Sequence, residues 1–301
     1  MMNKNRDFVF LFDAVNTNPN GDPDQENKPR MDNETKTLLV SDVRRKRDIR
    51  DFLHNKGMDI FVHTLNDTKV TMDKMFSEVM KKYGINEKDA TEEQKIAAIL
   101  GHMIDIRLFG SAMAVGGITK TFTGPVQLTW GYSLHPVDLV KSSSIVTIMN
   151  DDNSTFGKMY KAYYALIAHS GSVNKFNAAK TGLTEEDLGL FRKALIQSMM
   201  NNLTHSKQGQ QPLGYVEVVY SPDFDGYLGD LRRFIKVELK KNSAIRAQED
   251  FSLDFAPLGD AIADMRERGY IDQVLIWKSS LAGDWANLPV GEELDLIVPI
   301  S

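Results

Sequence analysis

The chain reads as an α+β protein with a ferredoxin-like βαββαβ pattern. Two observations predict this. A strand–helix–strand half near the N-terminus is matched by another at residues 160–220, the order of a split βαβ fold. Between the halves lie two stretches of different texture, a helical one and a polar, turn-rich one, which read as insertions. A single domain over residues 1–301 is expected, with a helical insertion at 66–103, a hairpin insertion at 141–159 and a C-terminal extension at 222–301.

Residues 8–15 are apolar and aromatic and read as a buried strand. Residues 16–30, NTNPNGDPDQENKPR, carry loop chemistry, because Pro fixes φ while Gly and Asn tolerate positive φ. A connection this long inside a compact domain tends to be functional. SDVRRKRDIRDFLHNK, residues 41–56, predicts a helix capped by Ser41 and stopped at Gly57. Residues 58–65 read as a strand. Residues 70–83 and 91–103 read as helices, the second opened by a Thr91/Gln94 capping box. Residues 104–110 read as a short strand, 114–119 are glycine-rich, and 122–133 form a strand pattern holding the turn pair Gly124-Pro125. Residues 141–159 predict a hairpin with Asp151-Asp152-Asn153 at its tip. A strand at 160–173, a helix at 184–203 capped by Thr184 and Asp187, and a strand at 213–220 complete the second half. Beyond Pro222 the pattern loosens into a helix near 257–268, a strand at 271–277 and a last strand near 294–299. There is no internal repeat.

Composition narrows the function. The absence of cysteine excludes a disulfide framework, thiolate zinc sites and cysteine nucleophiles, and fits a reducing, cytoplasmic setting. No apolar run suits a signal peptide or a membrane span. The net charge of −5 argues against a general polyanion binder, although a local basic stripe outweighs a total. The six histidines lack metal-ligand spacing, Val115-Gly116-Gly117 lacks the end of a phosphate-binding loop, and no nucleophile elbow appears. Neither a metal nor a cofactor is therefore expected.

The densest cationic run is Arg44-Arg45-Lys46-Arg47 with Arg50. At about 100° per residue from Val43, Phe52, Ile49 and Leu53 fall at about 180°, 240° and 280°. Arg44 and Arg47 lie outside the apolar arc drawn from these, while Lys46 and Arg50 lie inside it. A cation on a core-facing arc must snorkel or meet an anion. The expectation is that neither finds a carboxylate on its own helix, and a helix N-terminus attracts anions.

The spacing of Asn16, Asn18, Asn20, Gly21, Asp22 and Asp24 imitates the start of a calcium loop. Its twelfth position is Asn27, where a bidentate Glu is needed, so calcium is not expected. The segment reads instead as an Ω-loop held by Asx turns, presenting Asn side chains, Lys28 and Arg30 beside the basic helix.

Several segments carry a resemblance. They are NPNGDPD (18–24) with NKPRMD (27–32), LVSDVR (39–44) running into Lys46-Arg47 and Ile49-Arg50, and DIRLFG (105–110). TGPVQ (123–127), TGLTEED (181–187) and Ser206-Lys207 with Gly209-Gln210 follow. Together they resemble the backbone subunit of type I CRISPR Cascade complexes, the seventh CRISPR-associated protein family. The chain is similar to its Csh type of subtype I-B, with the Csd type of subtype I-C a near relative. The resemblance spans about residues 6–240, and departs at Pro212-Leu213-Gly214, where relatives tend to carry an arginine.

The resemblance implies a RAMP fold, that is, an RNA-recognition-motif-like palm with inserted finger and thumb elements. It implies several copies in a helical filament along one CRISPR RNA, with guide bases left to pair with target DNA. Other Cascade subunits and a recruited helicase-nuclease are further implied partners, and no chemistry is implied for the subunit itself. Residue by residue, it assigns guide phosphates to Ser41, Arg44, Lys46, Arg47 and Arg50, and the adjoining loop to Asn18, Lys28 and Arg30. Arg107, Lys120 and Gln127 fit the palm and web, and Ser206 and Lys207 a nearby loop. The thumb corresponds to 141–159, with Lys158 as a further RNA contact and Ile148, Met149, Phe156 or Met159 as its wedge. Phosphate contacts and base stacking are indifferent to sequence, as a binder of every guide requires. Two alternatives stand beside this reading: a type III-like subunit that cleaves target RNA with Asp22, Asp24 or Asp32, and a free-standing RNA-binding module.

Overall fold

The computed structural model describes residues 2–141, 144–146, 156–201, 204–241 and 243–300. Its frame is β1 (Arg6–Thr17), α1 (Asp42–Asn55), the short strands β2 (Val126–Leu128) and β3 (Gly131–Ser133), β4 (Ala162–Val173), α2 (Glu185–Asn201) and β5 (Gln210–Tyr220). β1 lies between β5 and β4, antiparallel to both, and β2 and β3 pair with the far side of β4. Thr37–Val40 joins β3 and is flanked by the short strand Met31–Asp32, and β6 (Ile271–Lys278) joins β5 and is flanked by Glu292–Glu293. Pro212 stands in the interior strand β5, and the register with β1 shifts there, between Leu11 and Phe12. A bulge is where a central strand tolerates a proline.

Period-2 alternation sends Phe8, Phe10 and Phe12 to one face of the sheet and Val9 and Leu11 to the other. The first face packs against Ile49, Phe52 and Leu53 of α1 and Leu188, Phe191 and Leu195 of α2. The second face is also covered. Leu231, Ile235, Phe251, Leu253, Phe255, Leu258 and Ile262, all from beyond Pro222, pack on Val9, Leu11, Leu166, Val216 and Val218. A sheet buried on both faces needs strands that are apolar throughout, as residues 8–12 are.

A third core gathers Phe61, Met75, Phe76, Val79, Met80, Ile99, Met103, Met113, Ile118 and Phe122. It binds the helices Met72–Lys82 and Glu92–His102 to the hairpin Gly110–Val115/Ile118–Thr123. The capping box of Thr91 and Gln94 is formed, and so is that of Thr184 and Asp187, with 3.1 Å bonds in both directions.

Three sequence expectations change. Residues 104–110 form a helix, Ile104–Phe109, in place of a strand. Its alternation arises because Ile106 faces the third core while Ile104, Leu108 and Phe109 face the first. Residues 58–65 form no strand, because the Phe61 and Val62 amides donate to the buried carboxylate of Asp105 at 2.8 and 3.1 Å. At the C-terminus only Glu292–Glu293 pairs with β6; Leu296 and Val298 are held through their carbonyls by the Gln197 amide at 2.8 and 2.9 Å.

Inside the first core sits an ion network. Glu217 on β5 accepts from Arg6 at 2.8 Å, from Arg192 of α2 at 2.7 Å through each carboxylate oxygen, and from the Tyr215 hydroxyl at 2.5 Å. Burial raises the Glu217 carboxyl, but the guanidinium groups of Arg192 and Arg6 outweigh it and hold it at about 2. No helix among the described residues is long and apolar enough to cross a membrane.

Candidate nucleic-acid interface

The loop after β1 shapes itself. Asn18 donates from Nδ2 to the Asn27 carbonyl at 2.7 Å, Gly21–Asp22 pairs with Lys28–Pro29, and Asp22 receives the Asp24 amide at 3.2 Å. Asn16, Glu26 and Asn27 take positive φ, which Asn tolerates well. Asp22 also pairs with Arg30 at 3.3 Å.

Two neighbours fix this loop in place. Asn20 Oδ1 accepts the Ser41 amide at 2.8 Å, joining the loop to the start of α1, where Ser41 Oγ caps the Arg44 amide at 3.3 Å. From the other side comes the segment before β5. The Ser206 carbonyl accepts the Asn18 amide at 3.1 Å and the Thr17 hydroxyl at 2.5 Å. The Lys207 ammonium donates to the carbonyls of Asn18 and Pro19 at 2.5 and 2.9 Å. Burial, with the nearby cations of Arg44 and Arg45, pulls Lys207 down to about 7 despite the carboxylate of Asp48. Segments far apart in sequence thus meet at one end of the sheet.

The cations of α1 are more paired than the helical wheel implies. Lys46 meets Asp42, one turn earlier, at 3.0 Å, so the helix does supply its carboxylate. Arg50 Nε meets Asp105 at 3.0 Å, and both Lys46 and Arg50 lie over the Phe109 ring, at 5.7 and 5.1 Å. Val43 is 66% exposed and Arg45 only 2%, which turns the buried face of α1 toward Arg45, Ile49 and Phe52. Arg45 pairs with Asp48 at 2.7 Å and stacks over Phe12 at 5.2 Å. Arg44 pairs with Asp48 at 2.5 Å. Arg47 pairs with Asp51 at 2.8 Å and also donates to the Val62 carbonyl at 2.8 Å.

Aromatic rings border the loop. Lys28 lies 5.1 Å from the centre of the Tyr160 ring, and Tyr160 donates to Glu26 at 2.8 Å, with Lys158 3.4 Å from the same carboxylate. The Arg30 guanidinium lies 6.0 Å from the centre of the Trp130 ring. Beneath, His169 is wholly buried against Phe12. Burial, aided by the Arg45 charge, lowers it to about 3 and keeps it neutral. Gly131 makes room for it: a Cβ there would stand 2.6 Å from His169 Nε2.

Three expected contacts lie elsewhere. Arg107 clamps the N-terminal turn of α2, donating to both oxygens of Asp187 at 2.9 and 2.6 Å and to the carbonyls of Leu100 and Gly101 at 2.9 and 3.2 Å. Gln127 donates to the Gly124 carbonyl at 2.7 Å. Lys120 is exposed on the hairpin 118–123, over Phe122. Among the described residues, no hydrogen bond or ion pair joins these three to the loop and α1. In the 141–159 segment, Ser144–Val146 pairs with Phe156–Lys158 and Met159 is half-buried. Ile148, Met149 and the side chain of Phe156 fall outside what is described. Sequence reasoning missed Arg45, Asn20, Tyr160 and Trp130; the signal for the last was an aromatic residue directly before Gly131 in a strand pattern.

Comparison with known proteins identifies the family and the fold. The CRISPR-associated protein Cas7 of Haloferax volcanii is 26% identical over 287 residues, covering 87% of this chain and 84% of the relative. A chain of a CRISPR RNA-guided surveillance complex, pre-nicking, shares the fold at TM-score 0.55 and 13% identity, covering 97% of this chain and 96% of that one. A chain of another CRISPR RNA-guided surveillance complex does so at 0.50 and 14%, covering 94% and 95%. Residues 4–256 match the sequence profile of the CRISPR-associated protein Cas7 family, and the chain belongs to that family.

Proposed function

We propose that the chain is the backbone subunit of a type I CRISPR surveillance complex, many copies of which line one guide RNA and present its bases to target DNA. The observation that carries this is the meeting of three segments at one end of the sheet: the 18–30 loop, the N-terminus of α1 and Ser206-Lys207. Together they offer cations, amide-bearing Asn side chains and a helix N-terminus, the groups that bind phosphates without reading bases. In this reading the βαββαβ frame is an RNA-recognition-motif-like palm that does not use its sheet face, since the segment beyond Pro222 covers it. RNA then passes over the end of the sheet.

The helical insertion 66–103, which packs in the third core, is the finger, and the hairpin 141–159 is the thumb. Other subunits of the complex and a recruited helicase-nuclease complete the assembly, in the cytoplasm of a prokaryotic cell. The subtype reading, Csh-like with Csd-like relatives, rests on the matched segments taken together, and the NPNGDPD wording of the loop favours the DNA-targeting branch. The subunit contributes positioning and no chemistry. Asp22 is occupied by Arg30 and the Asp24 amide, and Asp32 by the Glu34 amide and the Thr35 hydroxyl, which gives both a turn-building role. Mixing the protein with single-stranded RNAs of unrelated sequence and increasing length tests the proposal. Equal affinities, and a mass that grows by whole subunits with RNA length, support it. One subunit per RNA at every length points to a free-standing module, and cutting of guide-matched RNA by the assembled complex to an RNA-cleaving subunit.

A further inference from the structure

Trp130 sits where the candidate interface has no assigned apolar contact. β3 pairs antiparallel with Thr37–Val40, with Gly131 opposite Val40, so Trp130 stands one rung further, level with Ser41 at the cap of α1. Trp130 is 47% exposed, a large apolar residue to leave in water. The polypeptide beneath it is fixed. The Trp130 carbonyl accepts from Arg232 Nη1 at 2.7 Å, and Arg232 is itself held by Asp230 at 2.6 and 2.8 Å. On one side Thr129 is bonded to the Ser170 carbonyl at 2.8 Å through its amide and 3.0 Å through its hydroxyl. Arg30 lies beside the ring, and its amide is held by the Asn20 carbonyl at 3.0 Å.

We propose that Trp130, flanked by Arg30, is a stacking platform for one unpaired nucleobase of the bound single strand; this rests on the RNA-binding reading above. An exposed ring on an immobile backbone loses little freedom when a base lies on it. Base–aromatic stacking tolerates every base, as guide binding requires. The neighbouring Arg30 supplies charge for an adjoining phosphate, and Lys28 lies further along the same loop over the Tyr160 ring, the combination of cations and aromatic rings that tracks single strands. A protein surface of a second copy is the competing occupant. The flanking Arg30 favours the nucleic acid.

Tryptophan fluorescence tests this directly, because the other tryptophans are better shielded: Trp277 is 8% exposed and Trp285 half-buried. The probe is oligouridine short enough to hold one copy by mass. The wild type is expected to lose fluorescence on binding. Trp130→Phe should bind within about threefold of wild type but lose most of the quench, since a phenyl ring still stacks. Trp130→Ala should bind about 5- to 150-fold more weakly, with an unchanged salt slope. Arg30→Ala should instead flatten that slope by about 0.7. An undiminished quench in Trp130→Phe, or undiminished affinity in a folded Trp130→Ala, overturns the platform and leaves RNA binding standing. If Trp130→Ala holds the short strand normally but no longer assembles on long RNA, the occupant is the second copy and the platform is wrong. A wild type that binds no RNA at low salt defeats the parent reading instead.

Discussion

Arg50 donates from Nε to Asp105 at 3.0 Å, and that carboxylate is wholly buried. The pair ties α1 to the helix 104–109 and to the Phe61 and Val62 amides. Removing one partner of a buried pair strands the other charge. Arg50→Ala is therefore expected to cost about 3–5 kcal/mol of stability, read as a lower urea midpoint. Lys46 and Asp42 form a more open pair, so Lys46→Ala should cost less than about 1 kcal/mol. Its effect should fall on RNA binding, with the salt slope flattened by about 0.7. Equal destabilisation by both variants would contradict this division.

Glu217 joins β1, β5 and α2 through Arg6 and Arg192. Its carboxyl is held at about 2, below its usual 4.5, so the unfolded chain binds more protons between those values. The stabilisation is complete above pH 4.5 and fades as the pH falls toward 2. Glu217→Gln should lose about 3–5 kcal/mol at neutral pH, and the gap to wild type should narrow below pH 4.5 in urea melts. Asp7 and Asp13, held up at about 6 chiefly by burial, act with the opposite sign: their contribution is present at low pH and falls as the pH rises from 3.8 through 6. A gap that stays constant down to pH 2 would rule out the network as the source.

Lys207 fastens the loop carbonyls of Asn18 and Pro19 from a position pulled down to about 7 by burial and by Arg44 and Arg45. Between about 7 and the usual 10.5 the unfolded chain holds the extra proton, so this group alone makes stability rise with pH in that window and imposes its full cost below it. A bound phosphate favours the charged form. RNA affinity should accordingly strengthen as the pH falls toward 7, with proton uptake on binding in that range, and level off below it. Lys207→Met should abolish that pH dependence. Calorimetry in buffers of different ionisation enthalpy reads the uptake directly, and an identical uptake in the variant would refute the assignment.

Ser144–Val146 and Phe156–Lys158 form the base of the hairpin insertion. Deleting 147–155 and closing the base with a short turn should leave a folded monomer, because among the described residues none of the three hydrophobic cores draws on 141–159. Binding of a short RNA should persist, while the multi-copy assembly on long RNA should be lost. Mass measurement on both RNAs checks this, and full-length assembly by the deletion variant would remove the thumb from 141–159.

What was legible in the sequence was mostly local. Ser41, Thr91 and Thr184 announce their helices because a cap is written within four residues. The strand at Arg6–Thr17 is an apolar run that no loop would carry. What was not legible depends on distant partners. Thr37–Val40 is a strand only because Gly131–Ser133 lies beside it. Arg45 looks like a surface cation until Asp48 and Phe12 surround it. The loose pattern after Pro222 hid the cover over the second sheet face, because its apolar residues come from short, irregular pieces. In the candidate interface the loop and the helix were readable as motifs, but Trp130 became visible only once strand register set it beside Ser41.

Ultraviolet cross-linking of the RNA-bound protein, read by mass spectrometry of the linked peptides, traces the path of the RNA. Cross-links are expected in 18–30, in 41–50, at Trp130 and at Ser206-Lys207, with none on the covered sheet face. Cross-links concentrated on the segment beyond Pro222, with the loop and α1 unmarked, would contradict it.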